Sequence, residues 1–180
     1  NVVIAVPLVI EKIYKTKVKP ILEKEGIRFL MKVPGLDQIV LNKVRAELIN
    51  AFGGEFYEVI IGGAAFNTEV EAFFKRMGFP FTVGYGMTEC APIITYDDWK
   101  EEKLYSCGKS APNMEVRIAS SDPVNIPGEI QVKGDNVMLG YYKNPEATAS
   151  VFTADGWFRT GDMGYLDEDG YCFITGRLKT

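Results

Sequence analysis

Residues 57–89 read YEVIIGGAAFNTEVEAFFKRMGFPFTVGYGMTE, and the alternation of apolar runs with glycine turns in this stretch decides the fold. Tyr57 to Ile61 is a short apolar run with the pattern of a buried strand, and Gly62-Gly63-Ala64 is its exit loop. Asn67 is suited to cap a helix that runs to about Met77, with Gly78 as its terminator. Phe79 to Val83 is the next strand. Strand, helix, strand with a one-helix crossover is a βαβ unit whose strands run parallel, so the loops 62–64 and 84–86 are expected at the same edge of one sheet. Open α/β sheets bind ligands outside the carboxyl ends of their strands. Gly84 to Glu89, reading GYGMTE, is therefore either a site or an ordinary strand exit.

Upstream, Pro7 suits a first helical turn, and Val9, Ile10, Ile13, Tyr14 and Val18 follow at helical spacing until Pro20 interrupts them. After Pro34-Gly35, Asp37 is read as the cap of a second helix with the stripe Val40, Val44, Leu48 and Phe52, ended by Gly53-Gly54. Both helices are read as structural. Downstream, from about Lys103, short strands and frequent turns take over. Glu115 to Ala119, Glu129 to Lys133, Met163 to Leu166 and Tyr171 to Thr175 are strand candidates, and turns fall at Asp122-Pro123, Pro127-Gly128 and Asp169-Gly170. One helix interrupts them, with Asn144 as cap and Pro145 at its first position. A boundary is expected near 98–104.

The 180 residues can bury a proper core. The net charge is −4, yet residues 11–50 carry nine Lys/Arg against five Asp/Glu. That local excess is too diffuse for a nucleic-acid surface and reads as a solvated helix face. Cys90, Cys107 and Cys172 lack the close spacing of zinc or redox motifs, and are read as free thiols in a reducing cytosol. The apolar run Val2 to Ile10 is too short to span a bilayer and lacks the flanks of a signal peptide. With no histidine in the chain, Ser-His and Cys-His nucleophile systems are excluded within it. The ends at Asn1 and Thr180 suggest a chain cut from something longer.

Several stretches carry groups suited to chemistry. In GYGMTE the glycines, Gly86 among them, let backbone approach a phosphate; Tyr85 offers a ring, Thr88 a hydroxyl and Glu89 a hard oxygen for magnesium. Gly108-Lys109-Ser110 is not a phosphate loop, because Lys103 stands where the first glycine would be. Asp167, Asp169 and Gly170 read as a hairpin turn rather than a calcium loop. In WFRTGD, 157–162, an aspartate after a Thr-Gly turn can accept two hydrogen bonds from a ribose diol, or can be satisfied by its own backbone amides. Arg177 is either a second, cationic hold on the same ligand or a surface arginine.

Taken in order, GGAA at 62–65, GYGMTE at 84–89, GEIQVKGDNVMLGYYKNPEAT at 128–148, WFRTGD at 157–162 and GRLK at 176–179 resemble the successive motifs of the adenylate-forming, acyl-activating superfamily. The opening VPLVIEKIY at 6–14 looks like its bacterial long-chain fatty acyl-CoA synthetase branch. The resemblance implies an α/β fold: a parallel βαβ sheet segment with flanking helices over 1–100, then a β-rich, distorted barrel-like subdomain over 101–176, within a larger N-terminal domain. Residues 177–180 would open a hinge to a C-terminal domain.

The resemblance further implies that Gly62, Gly63 and Ala64 line the acyl and adenine pocket. Tyr85 would stack on adenine beside Gly86, Thr88 would contact phosphate, and Glu89 would bind magnesium, the last two as catalytic groups. Asp162 would hold the ribose hydroxyls with Arg177 beside it. The implied substrates are a fatty acid or similar carboxylate, ATP with Mg2+, and coenzyme A, in a cytoplasmic enzyme without a membrane span. Amino-acid-activating and luciferase-like enzymes share the chemistry, and a silent interaction module could share the fold. The family's phosphate loop and its C-terminal catalytic lysine are not among these residues, so the chain alone is expected to be inactive and to bind ATP poorly.

Overall fold

The computed structural model describes residues 1–178. Its contacts divide the chain into two compact units, Asn1–Thr82 and a second that begins at Val83, which lies ahead of the boundary expected near 98–104.

The first unit is built on a parallel three-stranded sheet in the order β1-β2-β3, from β1 (Val2–Ala5), β2 (Glu58–Ile61) and β3 (Phe81–Val83). β2 and β3 are the two strands of the expected βαβ unit, whereas β1 was not expected. It forms because it pairs in register with β2, Val3 opposite Val59 and Ala5 opposite Ile61. Four residues carry no periodic signal of their own, so distant pairing decides their conformation.

Helix α1 (Pro7–Ile13) starts at its proline as expected. Pro20 does not end the helical path. Tyr14–Val18 widens into a π-helical turn that Lys19 closes on the Tyr14 carbonyl, and α2 (Lys19–Leu22) continues. Pro20 has no N–H to give, and its ring would strike the carbonyl four residues back in a regular helix. The wider turn relieves that conflict. The short α3 (Glu25–Leu30) was not expected.

Helix α4 (Leu36–Ala51) buries Val40, Leu41, Val44 and Leu48. Asp37 lies inside it rather than at its cap; its carboxylate accepts the Gly35 N–H at 3.0 Å and Arg76 at 2.9 Å. Gly54 closes the helix by donating to the Ile49 carbonyl at 2.9 Å. In α5 (Thr68–Met77) the Asn67 side chain accepts from the Glu69 and Val70 amides, and Gly78 ends the helix at a left-handed φ of 68°. The buried face of α5 carries Phe74, whose ring meets Phe79 at 5.0 Å and Phe81 at 5.9 Å, both edge-on.

The second unit is β-rich and contains two antiparallel sheets. One has the order β4-β5-β6, from β4 (Tyr85–Gly86), β5 (Ile93–Tyr96) and β6 (Lys109–Ser110). The other has the order β10-β9-β8-β7, from β7 (Met114–Ala119), β8 (Gly128–Gly134), β9 (Phe158–Leu166) and β10 (Cys172–Arg177). Between β8 and β9 lies α6 (Pro145–Ser150), capped by Asn144, which accepts the Ala147 N–H at 3.0 Å.

Tyr85, Ile94, Met114, Ile130, Val132 and Phe158 share one core. β8 is buried on both faces. Ile130 and Val132 enter the core, while Glu129 and Gln131 are satisfied by Arg159 at 2.9 Å and Arg117 at 2.8 Å. The three cysteines are free thiols. Burial pushes Cys90 up to about 11 and Cys172 to about 12, which leaves both protonated and poorly reactive at neutral pH.

Candidate nucleotide site

The GYGMTE residues span a strand and a turn. Tyr85 and Gly86 are β4, which pairs with β5 through an irregular register. A side chain on Gly86 would place its Cβ 2.1 Å from the Pro92 carbonyl oxygen, so the absence of a side chain there already serves the approach of two backbone segments. Thr88–Cys90 is a single 3-10 turn, in which Thr88 is exposed and Glu89 half-buried.

The Tyr85 ring is 7% exposed and belongs to the core. Its hydroxyl donates to Asp162 Oδ2 at 2.7 Å, and Arg177 Nε donates to Asp162 Oδ1 at 2.8 Å. Burial, and then the bond to Asp162, raise the Tyr85 hydroxyl well above its ordinary range, so it stays a donor at any working pH. Three residues singled out from separate motifs thus meet in one hydrogen-bonded cluster.

WFRTGD was expected to hold a Thr-Gly turn, but Phe158 to Asp162 is part of β9. Opposite β8 the strand bulges, with Gln131 paired to Arg159 and Glu129 to Met163. Gly161 takes φ +72° within that irregularity, a conformation that favours glycine. Thr160 fixes the bulge by donating to the Ile130 carbonyl at 2.7 Å and accepting the Asp162 N–H at 3.1 Å. The Asp162 carboxylate is therefore held by two side chains from elsewhere, not by the amides of its own turn. A carboxylate has about four acceptor sites, so this one retains capacity for a diol.

Glu89 is held from a different direction. Its Oε1 accepts from the Tyr141 hydroxyl at 2.9 Å, and its carbonyl accepts the Met138 N–H at 2.7 Å. Neither partner was singled out from the sequence, although both lie in the quoted stretch 128–148. Among the described residues no cluster of three or more metal-ligating side chains exists. One carboxylate nevertheless suits magnesium, which is commonly held by one or two carboxylates together with substrate phosphates. Glu89 is the residue that would hold it, where it would neutralise phosphate charge.

The remaining motif-like stretches have structural uses. Lys109-Ser110 is β6, with the Lys109 ammonium 4.5 Å from the Tyr171 ring centre. Asp167 accepts the Asp169 and Tyr171 amides and pairs with Lys103, which makes the β9–β10 hairpin turn that the sequence suggested. Gly62 donates to the Ala5 carbonyl at 3.2 Å, while Gly63 and Ala64 are exposed in the first unit. Leu178 donates to the Gly161 carbonyl at 2.8 Å; Lys179 and Thr180, the rest of the expected hinge, lie outside the described residues.

The first unit is an α/β sheet segment, and the second, β-rich unit carries the polar Tyr85–Asp162–Arg177 cluster. The chain belongs to the AMP-binding enzyme family, whose model matches residues 5–142. It is 36% identical over 154 residues to the long-chain-fatty-acid--CoA ligase FadD15 of Mycobacterium bovis, covering 86% of this chain and 24% of that protein. Over 137 residues it is 42% identical to 4-coumarate--CoA ligase-like 4 of Oryza sativa subsp. japonica, covering 70% of this chain and 24% of that one. A malonyl-CoA ligase solved as a ternary product complex with methylmalonyl-CoA and AMP superposes with a TM-score of 0.71 at 29% identity, over 99% of this chain and 34% of that chain. The chain spans about a quarter of the length of the curated relatives it matches. Among the described residues no helix is long and apolar enough to cross a membrane.

Proposed function

We propose that this chain supplies the adenosine-binding and magnesium-binding part of an ATP-dependent acyl-CoA ligase acting on long-chain fatty acids in the cytoplasm. The observation that carries this reading is Asp162, a carboxylate 9% exposed and oriented by Tyr85 and Arg177, in a chain of the AMP-binding enzyme family. In the proposed reaction a carboxylate oxygen of the acid attacks the α-phosphorus of ATP and pyrophosphate leaves. The thiol of coenzyme A then attacks the acyl carbon and AMP leaves. Such chemistry depends on placement and on charge stabilisation at phosphate more than on a protein nucleophile, which a histidine-free segment can serve.

Each residue has a role in this scheme. Asp162 accepts from the ribose hydroxyls, with Arg177 and Tyr85 holding its two oxygens. Thr88 presents its hydroxyl to phosphate, and Glu89 holds the magnesium. Gly86 keeps the loop backbone close to β5, and Gly62, Gly63 and Ala64 are proposed, on the family resemblance, to line the acyl and adenine pocket.

The relative named 4-coumarate--CoA ligase-like 4 is the more identical of the two, and this favours an aromatic acid as the second reading. Exchange of labelled pyrophosphate into ATP by the intact protein, supplied with palmitate, octanoate or 4-coumarate, separates the two. The long-chain reading expects palmitate to support the fastest exchange. Exchange with 4-coumarate alone would favour the aromatic reading, and exchange with none would remove the ligase assignment.

The 180 residues by themselves are proposed to be inactive. Charge-assisted phosphate contacts contribute about 1.5–3 kcal/mol each, so three contacts made from outside this segment would account for about 5–9 kcal/mol, against about 8 kcal/mol for a micromolar ligand. Calorimetric titration of the isolated chain with ATP and magnesium is expected to show no binding tighter than about millimolar. Micromolar binding would place the phosphate grip inside this segment.

A further inference from the structure

The segment after β8 is tied to the Thr88–Cys90 turn at three points and to the start of β5 at one more. Asn136 Nδ2 donates to the carbonyls of Cys90 at 2.7 Å and Ile93 at 2.8 Å. The Met138 N–H donates to the Glu89 carbonyl at 2.7 Å, and the Tyr141 hydroxyl donates to Glu89 Oε1 at 2.9 Å. The first three fix backbone, and only the fourth fixes a side chain. Glu89 lies in a half-buried turn, where a long flexible carboxylate would otherwise sample several rotamers. Tyr141 and Glu89 are 52 residues apart in sequence, and their bond closes a clamp whose backbone contacts are already in place.

We infer that Tyr141 is a positioning residue for Glu89, holding one carboxylate oxygen so that the remaining acceptor sites are available to a divalent cation carried with a nucleotide. This rests on the reading of Glu89 given above. A carboxylate has about four acceptor sites and the tyrosine takes one, so the bond orients the group without consuming it. Hydrogen bonds of this kind to ligating carboxylates are a general way of fixing metal ligands, and their loss typically costs ten- to a hundredfold in metal affinity. The Tyr141 side chain is exposed, at 38%, so removing its hydroxyl should not disturb the core of the second unit.

The test uses Mn2+ as the probe, titrated into the intact protein with ATP and no acid substrate, with water-proton relaxation reporting the protein-bound Mn2+–ATP complex. Tyr141→Phe is expected to weaken formation of that complex about tenfold and to raise the magnesium concentration for half-maximal pyrophosphate exchange by a similar factor. The rate at saturating magnesium and the unfolding midpoint without ligand are expected to stay at wild-type values. Glu89→Gln is expected to weaken the complex at least as much, and adding Tyr141→Phe to Glu89→Gln is expected to cost nothing more. If Glu89→Gln weakens the complex while Tyr141→Phe leaves it unchanged, or if the two effects add in full, the positioning role is overturned. If Glu89→Gln itself has no effect, the underlying reading of Glu89 fails.

Discussion

Alanine at Asp162 in the intact protein is expected to lower carboxylate-dependent pyrophosphate exchange by at least about a hundredfold. Hydrogen bonds to a charged group contribute about 1.5–3 kcal/mol each, and a ribose diol makes two of them, so even the low estimate exceeds two factors of ten at 1.4 kcal/mol per factor. The same substitution deprives the buried Tyr85 hydroxyl of its acceptor, which should cost about 1–3 kcal/mol of stability. The two losses can be separated. Adding Tyr85→Phe to Asp162→Ala removes the stranded hydroxyl and should recover much of the stability while recovering no exchange. Urea denaturation and the exchange assay on the four members of this cycle check both halves. An Asp162→Ala enzyme within a few-fold of wild type would show that the carboxylate belongs to the fold alone.

In the first unit, Phe74→Ala is expected to destabilise the protein by about 3–5 kcal/mol, the range for truncating a fully buried aromatic ring. Phe74 is 0% exposed and meets the rings of Phe66, Phe79, Phe81 and Tyr14 edge-on. The cavity would lie where α5 meets the sheet, among four rings from three segments of the chain, which limits how far the neighbours can relax into it. Phe74→Leu should cost markedly less, because it keeps most of the buried volume. Denaturant midpoints for the two variants test the order. Equal costs would mean that this part of the core collapses around either residue.

What could be read from sequence follows how local each determinant is. The Asn67 and Gly78 boundaries of α5 and the Asn144–Pro145 start of α6 were legible because cap, first turn and stop are encoded within a few residues. Strand β1 was not, since Val2 to Ala5 becomes a strand only by pairing with Glu58 to Ile61. Thr160 to Asp162 looked like a turn because Thr-Gly-Asp is common in turns. The hydroxyl of Thr160 reaching the Ile130 carbonyl across the sheet makes it a bulged strand. Pro20 looked like a stop, and the helix went around it with one widened turn.

The site divides the same way. Asp162, Arg177, Tyr85 and Glu89 stood out because their types and spacing resemble known motifs, yet nothing in the sequence said that Tyr85 would bond Asp162 rather than only present a ring. Tyr141 and Asn136 passed unnoticed because a tyrosine and an asparagine in a polar segment carry no signal until the fold brings them to Glu89 and Cys90. Long-range contacts of this kind are where a single sequence is least informative.

The claim that joins these observations is that the carboxylate of Asp162 belongs to a nucleotide site. Calorimetric titration of ATP with magnesium into the intact protein and its Asp162→Ala variant measures it most directly. Binding in the micromolar range by the first, weakened at least about a hundredfold in a variant that keeps a cooperative unfolding transition, is the expected result. Equal affinities for the two proteins, or no heat with either, would contradict it.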